Sequence, residues 1–499
     1  MNLEKENILN AWLQDNCNIL INASAGCGKT TMLLQLLEVT KERTLFLAFN
    51  KSIQEEITQK MESRGLIQGK ALTLHSLGLM AVRNFKKQIE IKESKRFDLI
   101  KILQKENPTY FKMKWEDKSK LTLLLCDIYD VSRMFLTDNL WEISRYMLIM
   151  DKPIEITQKL KILWEKLAKI RDKFDQTNGL LYIDFIDMIY IPVKYNLYIP
   201  IEPVYLFIDE LQDLSLLQHN LIRNLLKQGH IKRFIGVGDY KQSIYLFGGS
   251  LSNSMDKLKE YPNVKEFPLN TCYRCSKNII NKANEVYNVM TYGREEEGFV
   301  EEIDEISMIM DNSMIVCRNT APIIELYFLL LKNGKNCYIK GEDILNSVTK
   351  FLTPYKYLTV IEATRKIKQE LIEFKKDRTD EGRMKYFILK NNFKIFKILS
   401  NNYVHDMFVT IDTIINKFKG LFFEKENAIM LCTIHKSKGL EADIVYILNE
   451  NLIPSKFAKS TEQLIQEQNL KYVARTRAKN RLYFINLSSY LGEEEDDEF

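Results

Sequence analysis

Short runs of apolar residues alternate along this chain with longer stretches in which apolar residues recur every three or four positions. The short runs have the length of buried strands, and the longer pattern is typical of amphipathic helices. Their alternation predicts an α/β fold with parallel sheets, because parallel strands are joined through helices. The predicted strands lie within 18–26, 44–50, 204–210, 233–239, 428–435, 443–448 and 481–487.

Two stretches, 81–174 and 345–427, differ from the rest of the chain in composition and in their hydrophobic pattern. Both are rich in lysine and follow the helical pattern, and neither contains a convincing strand. We interpret them as helical insertions into α/β domains.

Composition agrees with a soluble protein of several domains. The 499 residues are 45% hydrophobic and 27% charged, and this length corresponds to roughly three or four domains. Residues 1–12 form an amphipathic pattern rather than a secretory signal, and no uninterrupted apolar run reaches the ~18 residues of a membrane span. We therefore expect an intracellular protein, in the cytoplasm, the nucleus or a viral replication compartment.

Charge is distributed unevenly. Six acidic side chains occupy 493–498, and the net charge of +5 rises to +11 when they are set aside. A mildly basic body is compatible with a polyanionic partner without requiring one. The acidic tail, 493–499, is either a solvated disordered segment or a binding segment for a replication or recombination protein.

Among the eight cysteines, the close pair Cys272 and Cys275 lacks a second pair at zinc-site spacing, so reduced thiols are expected.

A phosphate-binding loop is predicted between the first strand and the helix that follows it. The loop matches G-x-x-x-x-G-K-[ST] except that alanine occupies the first glycine position. Its backbone N–H groups would surround the β-phosphate, Lys29 would reach the β- and γ-phosphates, and Thr30 would bind Mg²⁺. The predicted ATP-binding residues of this loop are Ala23, Ser24, Ala25, Gly26, Cys27, Gly28, Lys29, Thr30 and Thr31.

Two further strands end in polar residues. Asp209 and Glu210 follow the apolar run 204–208, where Asp209 would hold Mg²⁺ and Glu210 would deprotonate the attacking water; the alternative is a solvated acidic turn. Asp239 and Gln242 follow the next strand, and Gln242 is placed to sense the γ-phosphate. Beyond them, Tyr245 and Phe247 are either base-stacking residues or part of the core.

In combination, these motifs resemble the UvrD/Rep family of superfamily 1A DNA helicases, including its F-box DNA helicase-like branch. The alanine that begins the phosphate loop fits this family. Further segments match the family's motifs in order along the chain: 47–53, 72–78, 182–190, 269–276, 313–323, 433–447 and 470–484.

The resemblance implies roles for residues in the second half of the chain. Arg274 and Arg477 would neutralise charge on the transferred phosphoryl group, and both are expected to act from a second core domain that closes on ATP. Tyr273 would stack on adenine and Glu441 would touch the ribose, while Asn7 replaces the glutamine that reads adenine in the family. Gly439 completes the implied ATP-binding set.

The resemblance also implies a surface for single-stranded DNA that crosses both core domains. Read alone, His75 and His435 would be ordinary buried or surface histidines. The DNA-binding residues implied by the family's motifs are Phe49, Asn50, Thr73, His75, Tyr245, Phe247, Thr433 and His435.

The expected architecture is two RecA-like parallel-sheet cores, each with a helical insertion. The first core would comprise 1–80 and 175–270 with the insertion 81–174, and the second would comprise 271–344 and 428–492 with the reduced insertion 345–427.

The expected activity is that of an ATP- and Mg²⁺-dependent 3′→5′ helicase or translocase that acts on single-stranded DNA and on single-strand/duplex junctions. It would act as a monomer in repair, recombination or replication. The alternatives are a translocase that strips proteins such as recombinase filaments from DNA, and a P-loop ATPase that is not a motor. RNA stays open as a substrate.

Overall fold

A computed structural model describes residues 2–150, 152, 154–175, 181–245, 253–376, 380–401, 406, 408–456 and 458–486. Phe247 and the tail 493–499 lie outside the described residues. The chain divides into two compact units, unit 1 (Met1–Asn270) and unit 2 (Thr271–Phe499).

Unit 1 is built on a parallel six-stranded sheet with the order β3-β2-β6-β7-β1-β8. A separate parallel pair joins β4 to β5. The strands are β1 Asn18–Ala23, β2 Thr44–Ala48, β3 Gly69–Thr73, β4 Ile89–Ile91, β5 Leu181–Ile183, β6 Val204–Ile208, β7 Ile231–Gly238 and β8 Val264–Leu269.

The central strands are buried on both faces. In β1, Ile19 and Ile21 belong to one hydrophobic core and Leu20 belongs to the core on the opposite face. Successive side chains of a strand point to opposite faces, so a strand covered on both sides is a continuous apolar run. The strands predicted for the first half of the chain from such runs are confirmed.

Helices cover both faces of this sheet. Gly78 makes one close packing possible, because a Cβ at this position would lie 2.1 Å from the Met188 carbonyl oxygen. The helices of unit 1 are α1 Leu3–Gln14, α2 Lys29–Val39, α3 Lys51–Ser63, α4 Leu74–Phe85, α5 Lys95–Glu106, α6 Trp115–Met134, α7 Leu140–Ile149, α8 Gln158–Asp175, α9 Asp187–Lys194, α10 Leu216–Lys227 and α11 Asp256–Lys259.

The stretch 81–174 is helical apart from β4, so the expectation that it contains no strand is wrong at Ile89–Ile91. This strand has only three residues with Glu90 at its centre, so it shows no apolar run. It forms against β5, which lies outside the stretch. The helices α5 to α8 enclose a hydrophobic core of their own.

A buried network of charges connects these helices to the segment that follows β5. Arg133 donates hydrogen bonds to Asp184 Oδ1 and Asp187 Oδ1, each at 2.7 Å. Lys95 Nζ donates to Asp187 Oδ2 at 2.6 Å. All four side chains are buried, so each charge depends on its partners in place of water.

Unit 2 contains a second parallel six-stranded sheet, with the order β11-β16-β15-β12-β14-β13. The expected α/β class with two parallel sheets is confirmed. A separate parallel pair joins β9 to β10. The strands of unit 2 are β9 Thr271–Cys272, β10 Thr291–Tyr292, β11 Phe299–Ile303, β12 Met314–Cys317, β13 Cys337–Ile339, β14 Ile429–Thr433, β15 Ala442–Leu448 and β16 Ala478–Ile485.

Helices of unit 2 pack around this sheet and fill the segment between β13 and β14. The predicted strand within 428–435 ends at Thr433, because a helix begins at the next residue. Within the described residues, no helix combines the length and apolarity that crossing a membrane requires. The helices are α12 Lys277–Asn284, α13 Thr320–Lys332, α14 Glu342–Leu352, α15 Val360–Lys376, α16 Asp380–Ser400, α17 Ile411–Lys419, α18 Ile434–Ser437 and α19 Thr461–Arg475.

Candidate functional site

The carboxyl ends of the unit 1 strands bring the candidate residues of this unit to one edge of the sheet. β1 leads into the phosphate loop, β6 ends before Asp209, and β7 ends before Asp239. The neighbouring strands β2 and β3 end at the segments that carry Phe49 and His75. Ligands of open parallel sheets bind at this edge.

The backbone of the phosphate loop has the geometry of an anion cradle. Gly26 and Gly28 adopt φ values of 70° and 86°, which favour glycine. Gly28 also precedes α2 as its N-cap and provides no side-chain cap, so N–H groups at the start of the helix are available to an anion. Ala23 still belongs to β1 and is fully buried, so this position does not need glycine.

Hydrogen bonds connect the phosphate loop to the end of β8. The Ser24 N–H donates to the Leu269 carbonyl at 2.9 Å, and Ser24 Oγ donates to Asn270 Oδ1 at 2.8 Å. The Cys27 thiol donates to the Ser24 carbonyl at 2.9 Å. The loop is therefore held by the end of β8 and by a hydrogen bond within the loop itself.

Thr30 and Asp209 lie in direct contact. Thr30 Oγ1 donates a hydrogen bond to Asp209 Oδ2 at 2.8 Å. Burial, together with the nearby charge of Glu210, raises the pKa of Asp209 to about 6. The buried carboxylate thus lacks sufficient positive charge around it.

The Lys29 ammonium lies among these acids. Its Nζ is 3.7 Å from Glu210 Oε1. Burial alone would lower the pKa of Lys29, but Glu210, Asp239 and Asp209 outweigh burial and raise it. One lysine faces three carboxylates, which is an arrangement that a divalent cation would stabilise.

These residues fit Mg²⁺ bound together with a nucleotide. The Thr30 hydroxyl and the Asp209 carboxylate supply hard oxygen ligands, and Mg²⁺ commonly takes its remaining ligands from phosphates and water. Within the part of the chain that the structure describes, no cluster of three or more His, Cys, Asp or Glu side chains forms a metal site made of protein alone.

Gln212, which sequence reasoning missed, connects the ends of β6 and β7. Its side chain contacts Glu210 and the backbone of Asp239. Gln242 donates to Asp239 Oδ2 at 2.7 Å, and burial raises the pKa of Asp239. Only the repetition of polar residues after Glu210 hints at Gln212 in the sequence.

Two aromatic pairs lie at the other end of the same sheet edge. Phe49 stacks on Tyr245 with a centroid distance of 6.5 Å and an interplanar angle of 11°. Phe185 stacks on His75 at 3.8 Å and 22°, and Phe185 is 51% exposed. Sequence reasoning missed Phe185, although an exposed aromatic between the buried acids Asp184 and Asp187 is unusual.

Three of the proposed DNA-binding side chains cap helices. Asn50 Oδ1 accepts the Ile53 N–H at 2.9 Å, and Thr73 Oγ1 accepts the Ser76 N–H at 3.1 Å. Thr433 Oγ1 likewise accepts the Lys436 N–H at 3.3 Å. Each residue therefore fixes where a helix begins at the carboxyl edge of its sheet.

The two histidines beside these caps are neutral at physiological pH. Burial lowers the pKa of His75 to about 4 and that of His435 to about 3. Any contact they make with a phosphate uses hydrogen bonding rather than charge.

In unit 2, Arg274 and Glu441 are brought together. Arg274 Nε lies 2.6 Å from Glu441 Oε2, and Lys479 Nζ lies 2.8 Å from Glu441 Oε1. Tyr273, beside Arg274, is 41% exposed. Gly439 adopts φ 84° in the turn before Glu441.

The resemblance also places Arg477 and Asn7 at ATP. Arg477 is buried, and its guanidinium donates to the Val473 carbonyl at 2.9 Å and to the Leu440 carbonyl at 3.1 Å. Asn7 is exposed on α1. For both residues, the implied contact with ATP stays a prediction.

Comparison with known proteins covers nearly the whole chain. Residues 1–263 match the family model described as the UvrD/REP helicase N-terminal domain. The F-box DNA helicase protein 1 of Schizosaccharomyces pombe is 22% identical over 517 aligned positions, which cover 96% of this chain and 56% of that protein.

Two bacterial proteins are also similar. A probable DNA helicase II homolog of Mycoplasma pneumoniae is 24% identical over 395 positions, covering 58% of this chain and 55% of that protein. The Gabija protein GajB of Bacillus cereus is 27% identical over 323 positions, covering 56% of this chain and 63% of that protein. The chain thus spans between one half and two thirds of the length of these relatives.

Proposed function

This chain belongs to the UvrD/Rep helicase family, and we propose that it is an ATP-driven motor that moves 3′→5′ along single-stranded DNA and unwinds duplex at junctions. One observation carries the proposal. The segment 239–245 bears Asp239, which follows β7 beside the phosphate loop, and Gln242, which is hydrogen bonded to Asp239. Three residues after Gln242, Tyr245 stacks on Phe49. A change at the nucleotide therefore has a direct path to a base-stacking residue.

In the proposed hydrolysis reaction, the residues of unit 1 have different roles. Thr30 and Asp209 would hold Mg²⁺, which neutralises phosphate charge when bound. Lys29 would contact the β- and γ-phosphates, and Glu210 would accept the proton of the attacking water. From unit 2, Arg274 and Arg477 are proposed to neutralise charge on the transferred phosphoryl group.

The aromatic pairs would bind single-stranded DNA by stacking. Stacking requires only the face of a base, so it tolerates any sequence, as a translocating motor needs. Phe49 with Tyr245, and Phe185 with His75, offer two such positions along one sheet edge.

Polarity is tested with two duplexes that differ only in whether the single-stranded tail is 3′ or 5′. The proposal predicts ATP-dependent unwinding of the 3′-tailed duplex, no unwinding of the 5′-tailed duplex, and no activity with Lys29→Ala. Preference for the 5′ tail would contradict the proposed direction.

A translocase that clears proteins from DNA with little unwinding is the second candidate. The small insertion 345–427, which contains only part of α14 and the helices α15 to α17 within its described residues, favours it. Strand-displacement assays run beside assays of recombinase-filament removal distinguish the two.

We propose separately that the acidic tail binds a replication or recombination protein. The test compares the binding of such proteins to the full chain and to a variant that lacks 493–499.

A further inference from the structure

Gln212 lies in the turn after β6 and is 1% exposed. Its Nε2 donates to Glu210 Oε2 at 2.5 Å, and its Oε1 accepts the Asp239 N–H at 3.0 Å. A carboxylate only accepts and a backbone N–H only donates, so these two partners determine which end of the carboxamide faces each of them. Gln212 therefore bridges the ends of two neighbouring strands in one defined orientation.

The backbone of β7 leaves room for this bridge. A Cβ on Gly238 would lie 2.6 Å from Gln212 Oε1 and 3.0 Å from Met255 Sδ. Both distances are well below ordinary contact, so glycine at this position permits the close approach of the carboxamide. Gln212 is thus packed as well as hydrogen bonded.

Glu210 is held at several points. Its backbone adopts φ 49°, and its N–H donates to Asp209 Oδ1 at 2.9 Å. Its Oε2 receives the Gln212 hydrogen bond, while Oε1 lies 3.7 Å from Lys29 Nζ. One carboxylate oxygen is therefore held by Gln212, and the other faces the phosphate-binding lysine.

We infer that Gln212 is the positioning residue of the general base: it fixes the Glu210 carboxylate so that Oε1 faces the site of the attacking water. This inference rests on the proposed ATPase function. Gln212 itself exchanges no proton and contacts no reacting atom. Its effect arises because a carboxylate oxygen displaced by about 1 Å loses its alignment with the water, which costs on the order of 100-fold in rate.

The test measures ATP hydrolysis at saturating single-stranded DNA for Gln212→Met, which keeps the side-chain volume and removes both hydrogen bonds. We expect kcat to fall at least ~10-fold, because a misaligned base loses part of the ~100- to 10,000-fold that general-base catalysis contributes. KM for ATP should stay within about twofold, because no proposed phosphate contact is changed.

Gln228→Met is the matched control. Gln228 also bridges two backbone groups, since its Oε1 accepts the Ile199 N–H at 3.1 Å and its Nε2 donates to the Leu197 carbonyl at 2.8 Å. These bonds connect the end of α10 to the loop between α9 and β6, so Gln228→Met should keep kcat. If Gln212→Met does not fold, Gln212→Asn serves instead, because its shorter amide cannot span both partners.

A double-mutant cycle gives the decisive result. If Gln212 acts through Glu210, then Glu210→Gln combined with Gln212→Met is no slower than Glu210→Gln alone. A kcat of Gln212→Met within twofold of wild type, a loss seen only in KM, or multiplying effects in the double variant would overturn the inference. Failure of the proposed function is recognised separately, because the wild type would then show no DNA-stimulated hydrolysis or Glu210→Gln would be fully active.

Discussion

Thr30 Oγ1 donates a hydrogen bond to Asp209 Oδ2 at 2.8 Å, although 179 positions separate the two residues in the chain. The contact exists because β1 and β6 are both neighbours of β7 in a parallel sheet, so their carboxyl ends lie on one edge. The pair joins a hydroxyl to a buried carboxylate whose pKa is raised to about 6, mainly by burial. A divalent cation would stabilise this carboxylate.

Thr30→Val should impair the use of Mg²⁺, because it removes an oxygen ligand and keeps the shape of the side chain. We expect the Mg²⁺ concentration for half-maximal ATP hydrolysis to rise at least ~10-fold. Titration of Mg²⁺ at fixed ATP measures this shift. Thr58→Val, which removes a hydroxyl bound to the Gln54 carbonyl on α3, is the control, and equal Mg²⁺ curves for the two variants would disprove the metal assignment.

Phe185→Ala should weaken binding of single-stranded DNA. Loss of one base-stacking side chain costs about 1–3 kcal/mol, which is a roughly 5- to 150-fold rise in Kd. Fluorescence anisotropy with a labelled oligonucleotide measures the change. Phe85 has a similar exposure, 53% against 51% for Phe185, and lies at the far end of α4, so Phe85→Ala should bind as wild type does; equal losses would refute a specific role for Phe185.

The contribution of His75 to DNA binding should not change between pH 7.5 and 5.5. A histidine with an ordinary pKa near 6.5 becomes charged over this interval and would attract phosphate more strongly at the lower pH. Burial lowers the pKa of His75 to about 4, so it stays neutral throughout. The ratio of Kd values for His75→Ala and wild type should therefore be constant, and a ratio that grows as the pH falls would show that His75 gains charge.

Arg133→Met should destabilise unit 1 strongly, because it leaves Asp184 and Asp187 buried with too little positive charge. Breaking a buried ion pair from one side costs about 3–5 kcal/mol. Arg64→Met is the control, since it removes an exposed ion pair with Glu38 and should cost about 1 kcal/mol or less. Urea unfolding measures both free energies; similar losses for the two variants would mean that the buried network adds nothing beyond a surface pair.

The sequence predicts the phosphate loop and the acidic strand end well, because both are local patterns. A strand, a loop and a helix in order, or an apolar run followed by Asp209 and Glu210, can be recognised without knowledge of the fold. Parallel strands then bring such strand ends to one edge. The contact of Thr30 with Asp209 follows from these two facts together.

Other features depend on contacts between distant segments and could not be predicted. The β4 strand forms only against β5, and its three residues are too few for an alternating pattern to be recognised. Gln212 binds the backbone N–H of Asp239, which follows β7, and Phe185 stacks on the ring of His75. Neither contact can be recognised in the local sequence. Phe185 lies in an apolar-rich segment, where an aromatic residue usually belongs to the core.

The central claim is that hydrolysis of ATP at Lys29 and binding of single-stranded DNA are coupled in one motor. The most direct test compares ATP hydrolysis by wild type and Lys29→Ala, with and without single-stranded DNA, at two salt concentrations. We predict strong stimulation by DNA that weakens at high salt, because phosphate contacts release counterions, and that disappears in Lys29→Ala. Hydrolysis by the wild type that is indifferent to DNA at both salt concentrations would contradict the claim.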